Sequence, residues 1–271
     1  MTDRWLVALD IDGTTVREDD SLSERVAESV RAVVDAGHLV VLATGRSQST
    51  TESLAERVGI RPEWMVVANG ALVLQREGDA YVREHVEVFD AGPALRRIVQ
   101  GLPSARFLVE DASGFRRYTR GMDDWNLEHA EEVAFDGLTV EPAMRVVVMS
   151  PDHDVEEFLE IVEGMGLHKV SYAIGFSSWL DIAPDGVNKA TGLQRVLDAT
   201  GIPREQVLAV GDGRNDIDML AWTAAGGGRA VAMGQAPDEV AAAATERTGA
   251  VDEDGLADVL EPLAGVGTGA R

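Results

Sequence analysis

The sequence predicts an α/β protein: a doubly wound parallel-sheet core carrying an inserted α+β domain. Three observations carry this. Apolar strand-like runs alternate with helical stripes from Trp5 to Ala68. That rhythm breaks after Leu72 and returns near Gly186. Residues suited to chemistry recur where the predicted core strands end, which is where open α/β sheets bind ligands.

Trp5 to Leu9 is an apolar run of strand length, followed by Asp10-Ile11-Asp12-Gly13-Thr14. Ser21-Leu22-Ser23-Glu24 reads as a capping box, and Val26, Val30, Val33 and Val34 make a helical stripe that stops at Gly37. Leu39 to Ala43 is a second buried strand, Ser47 to Val58 a polar helix ended by Gly59, and Trp64 to Ala68 a third strand. This βαβαβ order implies parallel strands with right-handed crossovers. Leu72 to about Glu87 reads as a hairpin turning at Glu77-Gly78-Asp79. The α+β insertion follows, with helices at Ala94–Leu102 and Val155–Gly164. Its strands are Phe107–Glu110, Phe115–Tyr118, Arg145–Met149, Val170–Ala173 and Trp179–Ile182. The βα pattern then resumes. Asn188 to Ala199 is a helix, Val207 to Val210 a strand, Asp216 to Thr223 a helix and Arg229 to Met233 a strand. Helices at Pro237–Ala244 and Leu256–Leu263 complete it. We expect a discontinuous core over 1–85 and 184–264, inserted after its third strand by a domain over 86–183, with a tail over 265–271.

The 271 residues suffice for one large domain or two with a core each. Cysteine is absent, so disulfides and thiolate metal sites are excluded. Any metal must be held by oxygen or by the five histidines. The net charge of −23 repels nucleic acid and anionic membrane. It also repels a phosphorylated substrate, so a phosphate site here needs local cations. No apolar run reaches the ~18 residues of a membrane span, and Met1-Thr2-Asp3-Arg4 is no signal peptide. The expected location is cytoplasmic.

Four groups fall at predicted strand ends or helix starts: Asp10 with Asp12, Thr44-Gly45-Arg46, Lys189, and Gly211-Asp212-Gly213-Arg214-Asn215-Asp216. Singly, each could be a capped turn or a solvated side chain. Two acids where a core strand ends are harder to dismiss, because a buried charge costs several kcal/mol unless paired or metal-bound. A calcium loop would need further oxygen ligands and a glycine at its sixth position, which here is Thr15. Together the groups supply a phosphoryl-transfer site. Asp10 and Asp212 offer hard oxygen ligands on neighbouring strands, suited to Mg²⁺. Thr44 and the following helix N-terminus offer donors to a phosphate, and Lys189 offers a cation.

These groups, in this order, resemble the haloacid dehalogenase (HAD) superfamily, specifically its Cof-type or class IIB, sugar-phosphatase-like branch. The D-x-D-G-T motif matches Asp10 to Thr14, and the Thr after the second strand matches Thr44. The Lys after the insertion matches Lys189, and G-D-x-x-N-D matches Gly211 to Asp216. Asn69-Gly70-Ala71, Val231-Ala232-Met233-Gly234 and Asp254-Gly255 match further family stretches. The chain departs from the family pattern at Thr15, at Gln235 (usually Asn) and in Gly226-Gly227-Gly228.

The resemblance implies a Mg²⁺-dependent phosphatase acting on a small organic phosphate, a sugar phosphate first. Asp10 would be the nucleophile and Asp12 the general acid and base. Mg²⁺ would be held by Asp10, the backbone carbonyl of Asp12 and Asp212, with Asp216 orienting them. Gly13, Thr44, Gly45, Arg46, Lys189 and Asn215 would hold the phosphate. Asp12 separates a phosphatase or phosphomutase from the superfamily's dehalogenases and transport ATPases, which lack that acid. Two alternatives stay open: a phosphomutase, and a non-catalytic phosphometabolite-binding regulator. Decay to the latter should first remove Asp10, Asp12 or Lys189, and all are present. The inserted domain would choose the leaving group, with Arg116, Arg117, Tyr118, Arg120 and His129 as candidate contacts.

Overall fold

The structure is a computed structural model that describes residues 4–122, 127, 129–139, 141–165, 170–174 and 179–265. It divides into two compact units, Met1–Glu84 with Asn188–Arg271, and His85–Val187.

The first unit opens with β1 (Leu6–Leu9), α1 (Glu24–Asp35), β2 (Leu39–Ala43), α2 (Gln48–Val58), β3 (Trp64–Val67), β4 (Leu72–Glu77) and β5 (Ala80–Val86), whose last two residues are counted with the second unit. The second unit holds α3 (Gly92–Gly101), β6 (Arg106–Asp111), β7 (Arg116–Tyr118), β8 (Ala130–Glu132), β9 (Ala143–Met149), α4 (Val155–Met165), β10 (Val170–Ile174) and β11 (Trp179–Pro184). The first unit resumes with α5 (Lys189–Thr200), β12 (Val207–Gly211), α6 (Ile217–Ala225), β13 (Arg229–Ala232), α7 (Asp238–Ala243), β14 (Glu246–Arg247) and α8 (Gly255–Leu263). Among the described residues no helix is long and apolar enough to cross a membrane.

The larger sheet runs β14-β13-β12-β1-β2-β3-β4-β5. β1 pairs in parallel with both β12 and β2, and only at β3–β4 does the direction reverse among the pairs described. Side-chain alternation explains its two covered faces. Val7 and Leu9 pack with Val26, Val30 and Val33 of α1, Leu54 of α2 and Leu260 of α8. Leu6 and Ala8 pack with Leu193 and Val196 of α5, Met219 of α6 and Val240 of α7. Each such buried aliphatic side chain is worth about 1.5–3 kcal/mol, so the central strands carry much of the burial energy of this unit.

Two expectations need correction. The Ser21–Glu24 capping box does not form: the helix starts at Glu24 after Ser23, whose side chain makes no cap bond. Ser21 is used in a turn instead, its carbonyl accepting from Arg17 and its N–H donating to Asp19. The insertion follows the fifth strand rather than the third, because β4 and β5 extend the core sheet beyond β3. The short strands β8 and β14 carry no apolar signal and were not foreseen. Of the expected tail, residues 266–271 lie outside the described residues.

The second unit folds on a sheet ordered β10-β11-β9-β6-β7-β8, with Phe107, Val109, Val146, Val148, Leu180 and Ile182 packed against Leu95 and Ile98 of α3 and Phe158 and Val162 of α4. Its opposite side-chain register carries a buried bidentate pair, Arg145 to Asp181, at 2.8 and 3.0 Å. Removing one partner of such a pair strands a buried charge. We expect Asp181→Ala to destabilise this unit by about 3–5 kcal/mol in urea unfolding, and joint replacement of both residues by apolar ones to lose far less.

Candidate active site

The Asp10 N–H donates to the Val210 carbonyl at 3.0 Å, so the chain is still paired to β12 as β1 ends. Here the connectivity reverses. β2 and β3 lie on one side of β1, and β12, β13 and β14 on the other. Such switch points leave a crevice beyond the strand ends. The chain then turns sharply, with the amides of Thr14, Thr15 and Val16 all directed at the Ile11 carbonyl. Gly13 has φ +78°, and a Cβ there would fall 2.1 Å from Asp212 Oδ2. Only glycine allows the first loop to lie against the Asp212 carboxylate.

Lys189 is the first residue of α5, a helix begun by a reciprocal Asn188–Thr191 capping box. The start of α5 rests on the segment after β3: at Gly70 (φ +96°) a Cβ would meet the Asn188 carbonyl at 2.0 Å. This packing aims Lys189 inward, and its side chain is 0% exposed. Nζ donates to Asp10 Oδ1 at 2.5 Å and to Asp216 Oδ1 at 2.7 Å. The other Asp216 oxygen accepts the backbone N–H groups of Asp212 (3.1 Å) and Gly213 (3.0 Å), tying the loop after β12 to the lysine.

Asp10, Asp212 and Asp216 are all buried, and each offers an oxygen within 4.8 Å of the others. Three carboxylates therefore face one ammonium, and negative charge is left over. The titration behaviour reflects this. Burial and the nearby Asp216 charge push Asp10 well above the usual carboxylate range, with Lys189 opposing. Asp212 is pushed up to about 7, again by burial and then by Asp216. Burial works against the Lys189 ammonium, but Asp10 and Asp216 outweigh it and hold its pKa above the ordinary value. Hard oxygen donors with a surplus of negative charge fit a small divalent cation such as Mg²⁺.

Asp12 sits differently. Its side chain is 57% exposed and takes the Arg46 fork, with Nε at 3.2 and 3.1 Å and Nη2 at 2.6 Å. It stands apart from the three clustered carboxylates. Thr44 is buried at the end of β2, and its hydroxyl accepts the Arg46 N–H at 3.0 Å. Gly45, half-buried, lies between them. Asn215 donates to Asn69 Oδ1 at 3.1 Å, so the loop after β12 also grips the segment after β3.

In the sequence Asn69 stands out only as part of a family stretch, and Gln235 only as a departure from one. Gln235 Nε2 donates to the Gly13 carbonyl (2.5 Å) and to Asp212 Oδ2 (3.1 Å), and its Oε1 accepts the Val251 N–H. The signal for it was its place after Met233-Gly234, one strand beyond β12. The candidate leaving-group contacts are engaged within their own sheet: Arg116 with Glu110 at 3.3 Å, and Arg117 with Asp111 at 3.1 Å and over the Phe115 ring. Arg120 and His129 are exposed, and Tyr118 is partly buried.

Lys189→Met leaves the three acids without their ammonium. We expect a loss of about 3–5 kcal/mol in chelator-treated protein at pH 7, read by urea unfolding. The loss should shrink toward pH 5, because Asp212, pushed up to about 7, is then protonated and needs no counter-charge.

Comparison with known proteins gives the family of the chain. The model of the haloacid dehalogenase-like hydrolase family matches residues 7–260. Phosphoglycolate phosphatase of Natronomonas pharaonis is 31% identical, over 94% of this chain and 96% of that protein. The 5-amino-6-(5-phospho-D-ribitylamino)uracil phosphatase YitU of Bacillus subtilis is 28% identical, over 96% and 97%. A haloacid dehalogenase-like hydrolase from Bacteroides thetaiotaomicron shares the fold with a TM-score of 0.76 at 24% identity, covering 96% of this chain and 99% of that one. The chain belongs to the haloacid dehalogenase-like hydrolase family, in its Cof-type branch, and is a phosphatase.

Proposed function

We propose that this phosphatase is Mg²⁺-dependent, works in the cytoplasm and hydrolyses a small sugar or polyol phosphate monoester through an aspartyl-phosphate on Asp10. The observation that carries the reading is the buried Asp10 carboxylate at the β1–β12 switch point, held by Lys189 and flanked by Asp212 and Asp216. The relatives support a small organic phosphate: one is named for phosphoglycolate, a phosphorylated hydroxy acid, and one for a 5-phospho-D-ribityl compound, which carries its phosphate on a polyol chain.

In this reading Lys189 holds Asp10 through Oδ1, and Oδ2 attacks phosphorus in line. The bond from phosphorus to the ester oxygen breaks. Asp12, more exposed and on the first loop, gives the leaving oxygen a proton. Asp12 then takes a proton from water, which attacks the aspartyl-phosphate and releases inorganic phosphate. Thr44, Gly45, Lys189 and Asn215, with Gly13, line the place for the phosphoryl oxygens. Arg46 is proposed here as the partner of Asp12 rather than as a phosphate ligand, since its fork is already spent on Asp12. Asp10, Asp212 and the Asp12 carbonyl would hold Mg²⁺, with Asp216 steadying the loop. The ion would neutralise charge on the transferring group.

Asp10→Asn should abolish turnover with every phosphate ester. Asp12→Asn should slow single-turnover transfer from alkyl phosphates by about 10²–10⁴-fold, and far less from p-nitrophenyl phosphate, whose phenolate leaves unaided. Turnover by Asp10→Asn would overturn the assignment.

Metal binding has its own readout. Mg²⁺ added to chelator-treated protein should raise the thermal midpoint, with about 2.7 kcal/mol of stabilisation at a hundredfold excess over Kd. Asp212→Asn should lose most of that shift. Calcium, with longer and looser coordination, should restore activity poorly.

A further inference from the structure

We propose that Asp20 and Arg57 are positioning residues for the acid–base step: they lock the Arg46 guanidinium onto the Asp12 carboxylate. The inference rests on the reading of Asp12 as general acid and base, and takes it one layer outward.

The contacts form a continuous chain. Arg46 Nη2 is shared between Asp12 Oδ1 and Asp20 Oδ1, each at 2.6 Å. The second Asp20 oxygen accepts Arg57 Nη1, and the Asp20 backbone carbonyl accepts Arg57 Nη2 at 2.5 Å. Arg57 thus spends its fork on one residue. It lies in the last turn of α2, so the chain is anchored on a helix rather than on a loop. Arg46 lies at the head of the same helix, just before its Ser47 cap.

The loop that carries Asp20 is itself fixed. The Asp20 N–H donates to the Arg17 carbonyl and the Arg17 N–H to the Ser21 carbonyl, both at 3.0 Å. Arg17 reaches on to Asp252 and Asp254. Asp20 has φ +62°, a left-handed conformation that glycine adopts more cheaply than aspartate. The backbone alone gives no reason for a side chain there; the two guanidiniums do.

Stability does not explain the network. The Asp20 and Arg57 side chains are 48% and 39% exposed, and pairs that open to water contribute little to folding. What they contribute is direction. Arg46 is a long cationic side chain two residues beyond Thr44, close enough in sequence to turn toward a bound phosphate. With its Nη2 shared by Asp20, the fork stays on Asp12, and the Asp12 carboxylate keeps one orientation through both proton transfers. Small misplacements of a reacting group cost large factors in rate.

The test uses the full chain with phenyl phosphate and p-nitrophenyl phosphate, which differ in the leaving ability of the phenol but little in size. Single-turnover phosphoryl transfer is measured for Asp20→Asn, Asp20→Gly and Arg57→Gln. Asp20→Gly suits the backbone and guards against misfolding as the cause. Each variant should slow phenyl phosphate by about tenfold and p-nitrophenyl phosphate by less than about twofold. Adding Asp20→Asn to Asp12→Asn should cost nothing further, because a clamp with no acid to hold is silent. Equal slowing of both esters, no slowing of either, or an additive loss in the double variant would overturn the proposal. Asp12→Asn alone reports on the underlying reading: if it ignores the leaving group, that reading falls first. If it responds while the Asp20 and Arg57 variants do not, only the clamp falls.

Discussion

An ammonium group with no exposure to water is stable only where carboxylates replace its hydration. Lys189 meets that condition through Asp10, 179 residues away in sequence, and Asp216, 27 residues away. Much of the core unit can be read as the means of keeping that contact. β1 must lie beside β12 for Asp10 and the Asp212–Asp216 loop to meet. The head of α5 must press on the segment after β3, which the glycine at position 70 permits. The first loop must pass within contact of Asp212, which the glycine at position 13 permits. A larger side chain at either point would push apart the elements that supply the charges.

The two acids of the first motif stand two residues apart yet meet different surroundings, because the pairing to β12 stops at Asp10 and the turn begins at Asp12. Asp10 is still in register with β12 and is buried. Asp12 opens the turn that closes on the Ile11 carbonyl at Thr14 to Val16, and its carboxylate is in water's reach, held by Arg46. One acid is raised above the usual range by burial and neighbouring charge, and the other is met by a guanidinium. Environments that differ this way allow two chemically identical groups to take different parts in one reaction.

The strong acidity of the chain makes cations scarce, and the site draws on few of them. Arg116, Arg117 and Arg145 are spent on Glu110, Asp111 and Asp181 within the sheet of the second unit. In the first unit Lys189 serves the carboxylate cluster, while Arg46 and Arg57 serve the first loop. The three clustered carboxylates outnumber their ammonium, which is the electrostatic reason the donor set suits a dication.

The sequence by itself determined the α/β class, because apolar runs of strand length alternating with capped amphipathic helices can bury their faces in few ways. It also singled out the residues proposed here to carry chemistry, since charged groups at the ends of buried strands have no packing role. Short polar strands such as Glu246–Arg247 were illegible, as their pairing depends on neighbours and not on their own composition. The Ser21–Glu24 capping box was a local pattern overruled by the turn that places Asp20. Only the tertiary structure decided how the charges are shared. It gave Lys189 to Asp10 and Asp216, turned Arg46 toward Asp12 and Asp20, and set Gln235 between Gly13 and Asp212. Hydrogen-bond partnerships among side chains far apart in sequence depend on distances of a few ångströms, and those exist only once the sheet has assembled its strands in order.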